Sequence, residues 1–159
     1  MNDNEHLISR FYTAFANKDY KGMQDCYADN IEFSDNVFPG LQGKQAKAMW
    51  HMLVIAGSDM TLSFTNVTAT ETTGSADWTA TYTFSLTGRK VVNRIHADFE
   101  FKDGKIIKHT DTFDFRKWSS QAFGLKGQLL GWTSFFKNKI QSVTRQRLQA
   151  FIYKNPDYK

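Results

Sequence analysis

At 159 residues, 41% hydrophobic and 15% aromatic, the chain is long enough for one domain with an enclosed core and too short for several. Its net charge of +4 is uneven: residues 1–115 carry −4, while residues 116–159 carry +8 with Asp157 as their one acid. A single cysteine, Cys26, excludes an internal disulfide, no apolar run reaches the length of a membrane-spanning helix, and residues 1–6 are too polar for a secretory signal, so a soluble cytoplasmic protein is expected.

Residues 5–17 place Leu7, Ile8, Phe11, Tyr12, Ala14 and Phe15 at the 3–4 spacing of an amphipathic helix. Asp19 suits the N-cap of a second, short helix through Tyr20, Met23, Cys26 and Tyr27. Asp29-Asn30 ends it, and residues 31–35 alternate as a short strand finishing at Asp35. Residues 36–43, with Pro39-Gly40 inside, read as a loop; residues 44–56 read as a third helix stopped by Gly57-Ser58-Asp59.

From Met60 the apolar period changes from 3.6 to 2. Leu62, Phe64, Val67 and Ala69 mark the first long strand, and Thr73-Gly74-Ser75 reads as a turn. Residues 77–87 set Trp78, Ala80, Tyr82, Phe84 and Leu86 on one face. After a turn at Gly88-Arg89, residues 91–102 oppose Ile95, Ala97, Phe99 and Phe101 to Arg94, His96, Asp98 and Glu100. Asp103-Gly104 is a strong hairpin signal, leading into a last strand to Phe115.

That last strand carries the chemistry. Its alternation puts Ile107, His109, Asp111, Phe113 and Phe115 on one side and Lys108, Thr110, Thr112 and Asp114 on the other. An imidazole and a carboxylate among apolar neighbours cost several kcal/mol, roughly, unless paired or hydrated, so the pattern points to a polar network in a cavity or at an interface. Same-face neighbours lie about 7 Å apart along a strand, which suggests that the two side chains reach a common ligand or water, or that Asp111 orients a residue of a neighbouring strand, rather than that they bond directly. The tail combines Gly124, Gly127 and Gly131 with a helical pattern through Trp132, Phe136, Ile140 and Val143. The glycines lack phosphate-loop spacing and read as turns and close packing. The tail is expected to pack over the cavity mouth or along the body through Phe123, Leu125, Leu129, Trp132, Phe135 and Phe136.

Three helices and a short strand followed by four long strands indicate an α+β fold. The segments from Ala28 to Asp35 (ADNIEFSD), from Gly43 to Trp50 (GKQAKAMW) and from Asp103 to Ile107 (DGKII) resemble the nuclear transport factor 2-like superfamily, in particular its SnoaL-like and ketosteroid-isomerase-like branch. The resemblance implies a cone-shaped, strongly curved antiparallel sheet wrapped around three N-terminal helices (the cystatin-like shape) over residues 1–116. A basic, amphipathic helical extension over residues 117–159 would pack on the same domain. It also implies a cavity for a small hydrophobic ligand and a homodimer formed through the sheet.

On that resemblance Asp35 occupies the place of the isomerases' proton-shuttling carboxylate, although a carboxylate capping the turn at Asn36 is an equal reading of the residue itself. The isomerase oxyanion donors are absent, their places taken by Phe11 and Ala97. Asp35, His109 and Asp111 are therefore the candidate catalytic residues. Trp50, His51, Trp78, Tyr82 and Phe113 are the candidate ligand-binding walls. His-x-Asp recurs at His96 and Asp98, but on the polar face. Dispersed histidines give no metal-ligand spacing, and neither a cofactor nor nucleic acid is expected. The expected activity is cofactor-independent acid–base chemistry (isomerisation, cyclisation or hydration) on a small hydrophobic molecule; the alternatives are a non-catalytic binder and a dimeric interaction module.

Overall fold

The computed structural model describes residues 1–159. Helix α1 (Asp3–Ala16) begins with a reciprocal cap, in which Asn2 Oδ1 accepts from the Glu5 amide and Glu5 accepts from the Asn2 amide, both at 2.9 Å. It buries the six apolar residues that its spacing brings to one face. Helix α2 (Tyr20–Asp25) is capped by Asp19, which accepts from the Gly22 amide at 2.9 Å. Strand β1 (Tyr27–Ser34), the two-residue β2 (Leu41–Gln42) and helix α3 (Lys44–Ala56) follow. Tyr27 thus belongs to the sheet rather than to the preceding helix. Aromatic residues favour the pleated, half-buried surface that it occupies.

Strands β3 (Thr61–Ala69), β4 (Thr73–Phe84), β5 (Arg89–Lys102) and β6 (Lys105–Thr112) complete a six-stranded sheet of order β2-β1-β6-β5-β4-β3. Every neighbouring pair is antiparallel except β1 and β6, which run parallel. The result is the α+β architecture, with the three N-terminal helices and the sheet sharing one core of Phe11, Tyr12, Phe15, Trp50, Trp78 and Phe99 among others.

Three local expectations fail for identifiable reasons. The turn before β4 is not Thr73-Gly74-Ser75 but the residues before it, where Thr70 Oγ1 accepts from the amides of Thr72 and Thr73. Gly74 is already in the strand, and a Cβ there would lie 2.9 Å from the Phe101 ring and from the Thr68 carbonyl. In β6 the inward residue is Ile106, fully buried, and not Ile107. A register shift against β5 at Glu100/Phe101 inserts one extra residue and reverses the alternation before His109. The strand also stops at Thr112, because Asp114 accepts from the Lys117 amide at 3.0 Å and starts a helix.

The extension forms α4 (Phe115–Phe123), α5 (Leu125–Leu130), α6 (Ser134–Lys154) and a short 3-10 turn (Pro156–Tyr158). Phe115, Trp118, Ala122, Phe136 and Ile140 gather around Val91 of β5 as a second core. Helix α6 is also tied to the loop after β1: Gln141 Nε2 donates to the Asn36 carbonyl at 3.0 Å, and Thr144 Oγ1 to the Val37 carbonyl at 2.7 Å. Of the six tail residues expected to pack, Phe123 and Phe136 do so, whereas Leu125, Leu129, Trp132 and Phe135 stand exposed. The reason lies in α5, which turns Gly127 inward against α4 and its leucines outward.

Candidate functional site

The sheet, α3, the loop after β1 and the extension enclose an apolar cavity of about 220 Å³. Trp50 and Leu53 of α3, Trp78 and Tyr82 of β4, Ile95 of β5, Phe113, and Trp118 and Ile140 of the extension form its apolar wall. An apolar cavity of about 150 Å³ admits benzene, and this one is larger. The polar groups on the wall include Asp35, Asp111 and Asn93.

Asp111 is held rigidly. Its Oδ1 accepts from Trp78 Nε1 at 3.3 Å and from His109 Nε2 at 2.9 Å. The contact with His109 corrects the expectation from strand spacing: side chains two residues apart on one face do meet here, since the imidazole spans the gap. Behind it, His109 Nδ1 lies 2.7 Å from Tyr27 Oη, which accepts from Trp50 Nε1 at 2.8 Å. Placing the ring proton on Nε2 gives every donor an acceptor: Trp50 to Tyr27, Tyr27 to His109, His109 to Asp111. A proton on Nδ1 instead would leave the Tyr27 hydroxyl without an acceptor in this chain.

His109 has no exposed surface and does not line the cavity. Its ring is boxed by Phe11, Phe33, Phe99 and Trp50, with centroids 4.5–6.0 Å away. It touches Asp111 and Tyr27, so any effect on chemistry passes through Asp111.

Asp35 caps the turn and also faces the cavity. Its Oδ1 caps the turn, accepting from the amides of Val37 (2.7 Å) and Phe38 (2.6 Å). The residue is half-buried and also lines the cavity; no protein donor reaches its Oδ2. Burial above all, reinforced by the charge of Asp111, pushes its carboxyl up to about 7 against the opposing pull of the two amides. Two carboxylates facing one apolar space cannot both ionise freely.

Tyr82 accepts from Trp118 Nε1 at 2.9 Å, which leaves its own hydroxyl proton without a protein acceptor at the cavity wall. Burial, with Asp35 nearby, pushes that hydroxyl up. Asn93 is 92% buried on the inward face of β5, lines the cavity and has no side-chain hydrogen bond to protein. Asn93 is not among the expected site residues, yet the period-two register through Ile95 and Ala97 points it inward. Tyr27 is likewise unexpected, since a helical position would not have carried it to the sheet.

The remaining candidates divide. Trp50, Trp78, Tyr82 and Phe113 line the cavity. His51 does not: it stacks on Tyr20 with centroids 3.6 Å apart, and its Nδ1 meets Tyr158 Oη at 2.8 Å. It anchors the C-terminal turn. His96 is exposed on the outer face, 2.6 Å from Asp77 Oδ1, and takes no part in the cavity. Phe11 and Ala97 are buried and apolar, so the donors of the isomerase arrangement are absent where the resemblance implies them.

The SnoaL-like domain family matches residues 8–109. Among solved structures, the chain is similar to a proposed polyketide cyclase from Xanthomonas campestris, with 21% identity, a TM-score of 0.62 and coverage of 74% of this chain and 94% of that one. It is similar to a proposed SnoaL-like polyketide cyclase from Jannaschia, with 14% identity, a TM-score of 0.66 and coverage of 76% and 91%. It is also similar to an epoxide hydrolase of M. tuberculosis, with 15% identity, a TM-score of 0.62 and coverage of 80% and 96%. At such identities these structures share the fold. A comparison with curated proteins finds no match.

Proposed function

The chain belongs to the SnoaL-like domain family, and on that footing we propose that it binds a small, largely apolar carbonyl compound of one or two rings and moves a proton on it without a cofactor. The reading is carried by one observation: Asp35, pushed up to about 7, faces the same apolar cavity as the donor-held Asp111. A group titrating near working pH serves as both acid and base. Asp35 would take a proton from the carbon beside the carbonyl. The Tyr82 hydroxyl and the Asn93 amide would meet the charge that develops on oxygen, in place of the missing isomerase donors. Returning the proton to a different carbon gives isomerisation, and attack of the enolate carbon on a second carbonyl gives cyclisation. Asp111 is the fixed charge that raises Asp35, and His109 is the positioning residue that orients Asp111. The polyketide cyclases among the structural neighbours are in keeping with such chemistry.

The test uses 2-tetralone, a bicyclic ketone of suitable size with acidic carbon–hydrogen bonds, in deuterated buffer. The protein should accelerate deuterium incorporation beside the carbonyl, followed by NMR, with a pH dependence centred near 7. Asp35→Asn should abolish the acceleration while 2-tetralone still binds. Binding with no acceleration by the wild-type protein would overturn the catalytic reading and leave a carrier of apolar molecules.

A further inference from the structure

The extension holds an apolar surface that the cavity does not use. Leu125, Leu129, Leu130, Trp132 and Phe135 lie within eleven residues, and their relative exposures run from 40% to 80%. Surface helices of folded proteins bury their leucines; α5 does the reverse. Its buried residue is Gly127, whose missing side chain lets the helix sit against α4, where a Cβ would collide with the Ser119 carbonyl. Leu125 and Leu129, four residues apart, therefore share an outward face. Trp132 is fixed beside them, with Nε1 donating to the Leu129 carbonyl at 2.9 Å. Ordering an indole so that its apolar body faces outward needs a compensating contact.

Charge identifies the contact. Lys126 and Lys139 are exposed among these residues, and the chain between Arg116 and Asn155 contains no acid at all. Symmetric pairing with a second copy would set lysine against lysine without a carboxylate. Leucine, phenylalanine and tryptophan with lysines beside them are the side chains that seat a helix in the headgroup region of an anionic bilayer. We propose that residues 125–139 form a docking site for an anionic membrane surface, with Leu125, Leu129, Trp132 and Phe135 entering the interface and Lys126 and Lys139 meeting lipid phosphates. No helix is long and apolar enough to cross the membrane, so the contact is peripheral. The surface is continuous with the cavity wall, since Phe123 just before it and Ile140 just after it line the cavity. A bound protein would hold the cavity close to a phase that concentrates apolar molecules.

The experiment is sedimentation of the full chain with vesicles of phosphatidylcholine, with and without phosphatidylglycerol. The fluorescence of Trp132 is read at the same time; it is the exposed tryptophan, the other three being buried. We expect binding to the anionic vesicles, weakened by salt, with a blue shift that Trp132→Phe removes. The double variant Trp132→Ala/Phe135→Ala should lose about tenfold or more in partitioning. Lys126→Glu/Lys139→Glu should lose the preference for phosphatidylglycerol. All four positions are solvent-facing, and unchanged circular dichroism would show that the variants fold. Absence of binding to anionic vesicles, or equal binding by both variants, would overturn the proposal. So would self-association that the Trp132→Ala/Phe135→Ala variant abolishes in the absence of lipid.

Discussion

Asp35→Asn should stabilise the protein at alkaline pH, an unusual outcome for a change at a proposed active-site residue. In the unfolded chain this carboxyl loses its proton near 3.8, and in the folded chain near 7. Between those values the folded state holds a proton that the unfolded state has released. The stability that Asp35 contributes is thus fully present below about pH 4, falls as pH rises towards 7 and is gone above it. The gap corresponds to a ceiling of about 4 kcal/mol, and the half-buried position of Asp35 lowers the return. Asparagine keeps an oxygen for the Val37 and Phe38 amides and carries no charge to desolvate. Urea unfolding of both proteins should show little difference near pH 4, widening to between about 1 and 4 kcal/mol in favour of the variant near pH 8. Subtraction removes the contribution of His96, which Asp77 raises and which is likewise lost as pH increases. A difference that does not vary with pH, or a variant less stable at pH 8, would refute the reasoning.

Tyr27→Phe should cost roughly 1–3 kcal/mol for each buried partner it strands, Trp50 Nε1 and His109 Nδ1, measured by urea unfolding at neutral pH; a loss within error would mean that the buried chain of donors carries no energy. Gly127→Ala should lower Tm, since the added methyl meets the Ser119 carbonyl and overpacking costs about 1–3 kcal/mol; an unchanged Tm would show that α5 can lift from α4 freely. Truncation after Arg116 removes Trp118, Phe136 and Ile140 from the second core and Leu148 from the first. The shortened chain should lose its cooperative thermal transition by circular dichroism, and a retained transition would make the extension a separable appendage.

The fold was largely legible because its signals are local. Asp19 and Gly57 mark helix ends, Asp103 and Gly104 adopt the positive φ values of a tight hairpin, and period-two alternation in β5 survives intact. What was not legible depends on partners distant in sequence. The shift that exchanges Ile107 for Ile106 exists only as register against β5. The outward leucines of α5 follow from the approach of Ser119 to Gly127, which no apolar pattern announces. At the site, Asp111 and Asp35 were readable from strand position and resemblance. The placement of His109 was not: it sits behind the wall rather than on it, because Tyr27 and a box of aromatic rings hold it there. His51 looked equally suited to the cavity, but its partner Tyr158 lies 107 residues further along the chain.

The central claim is that Asp35 and Asp111 share one apolar cavity and that this raises Asp35 into the neutral range. Carbon-13 NMR of the aspartate carboxyl groups, titrated across the acidic and neutral range, tests it directly. The account predicts an Asp35 midpoint near 7 that moves down when Asp111→Asn removes the neighbouring charge. A midpoint near the ordinary 3.8, or one that ignores the Asp111 substitution, would contradict it.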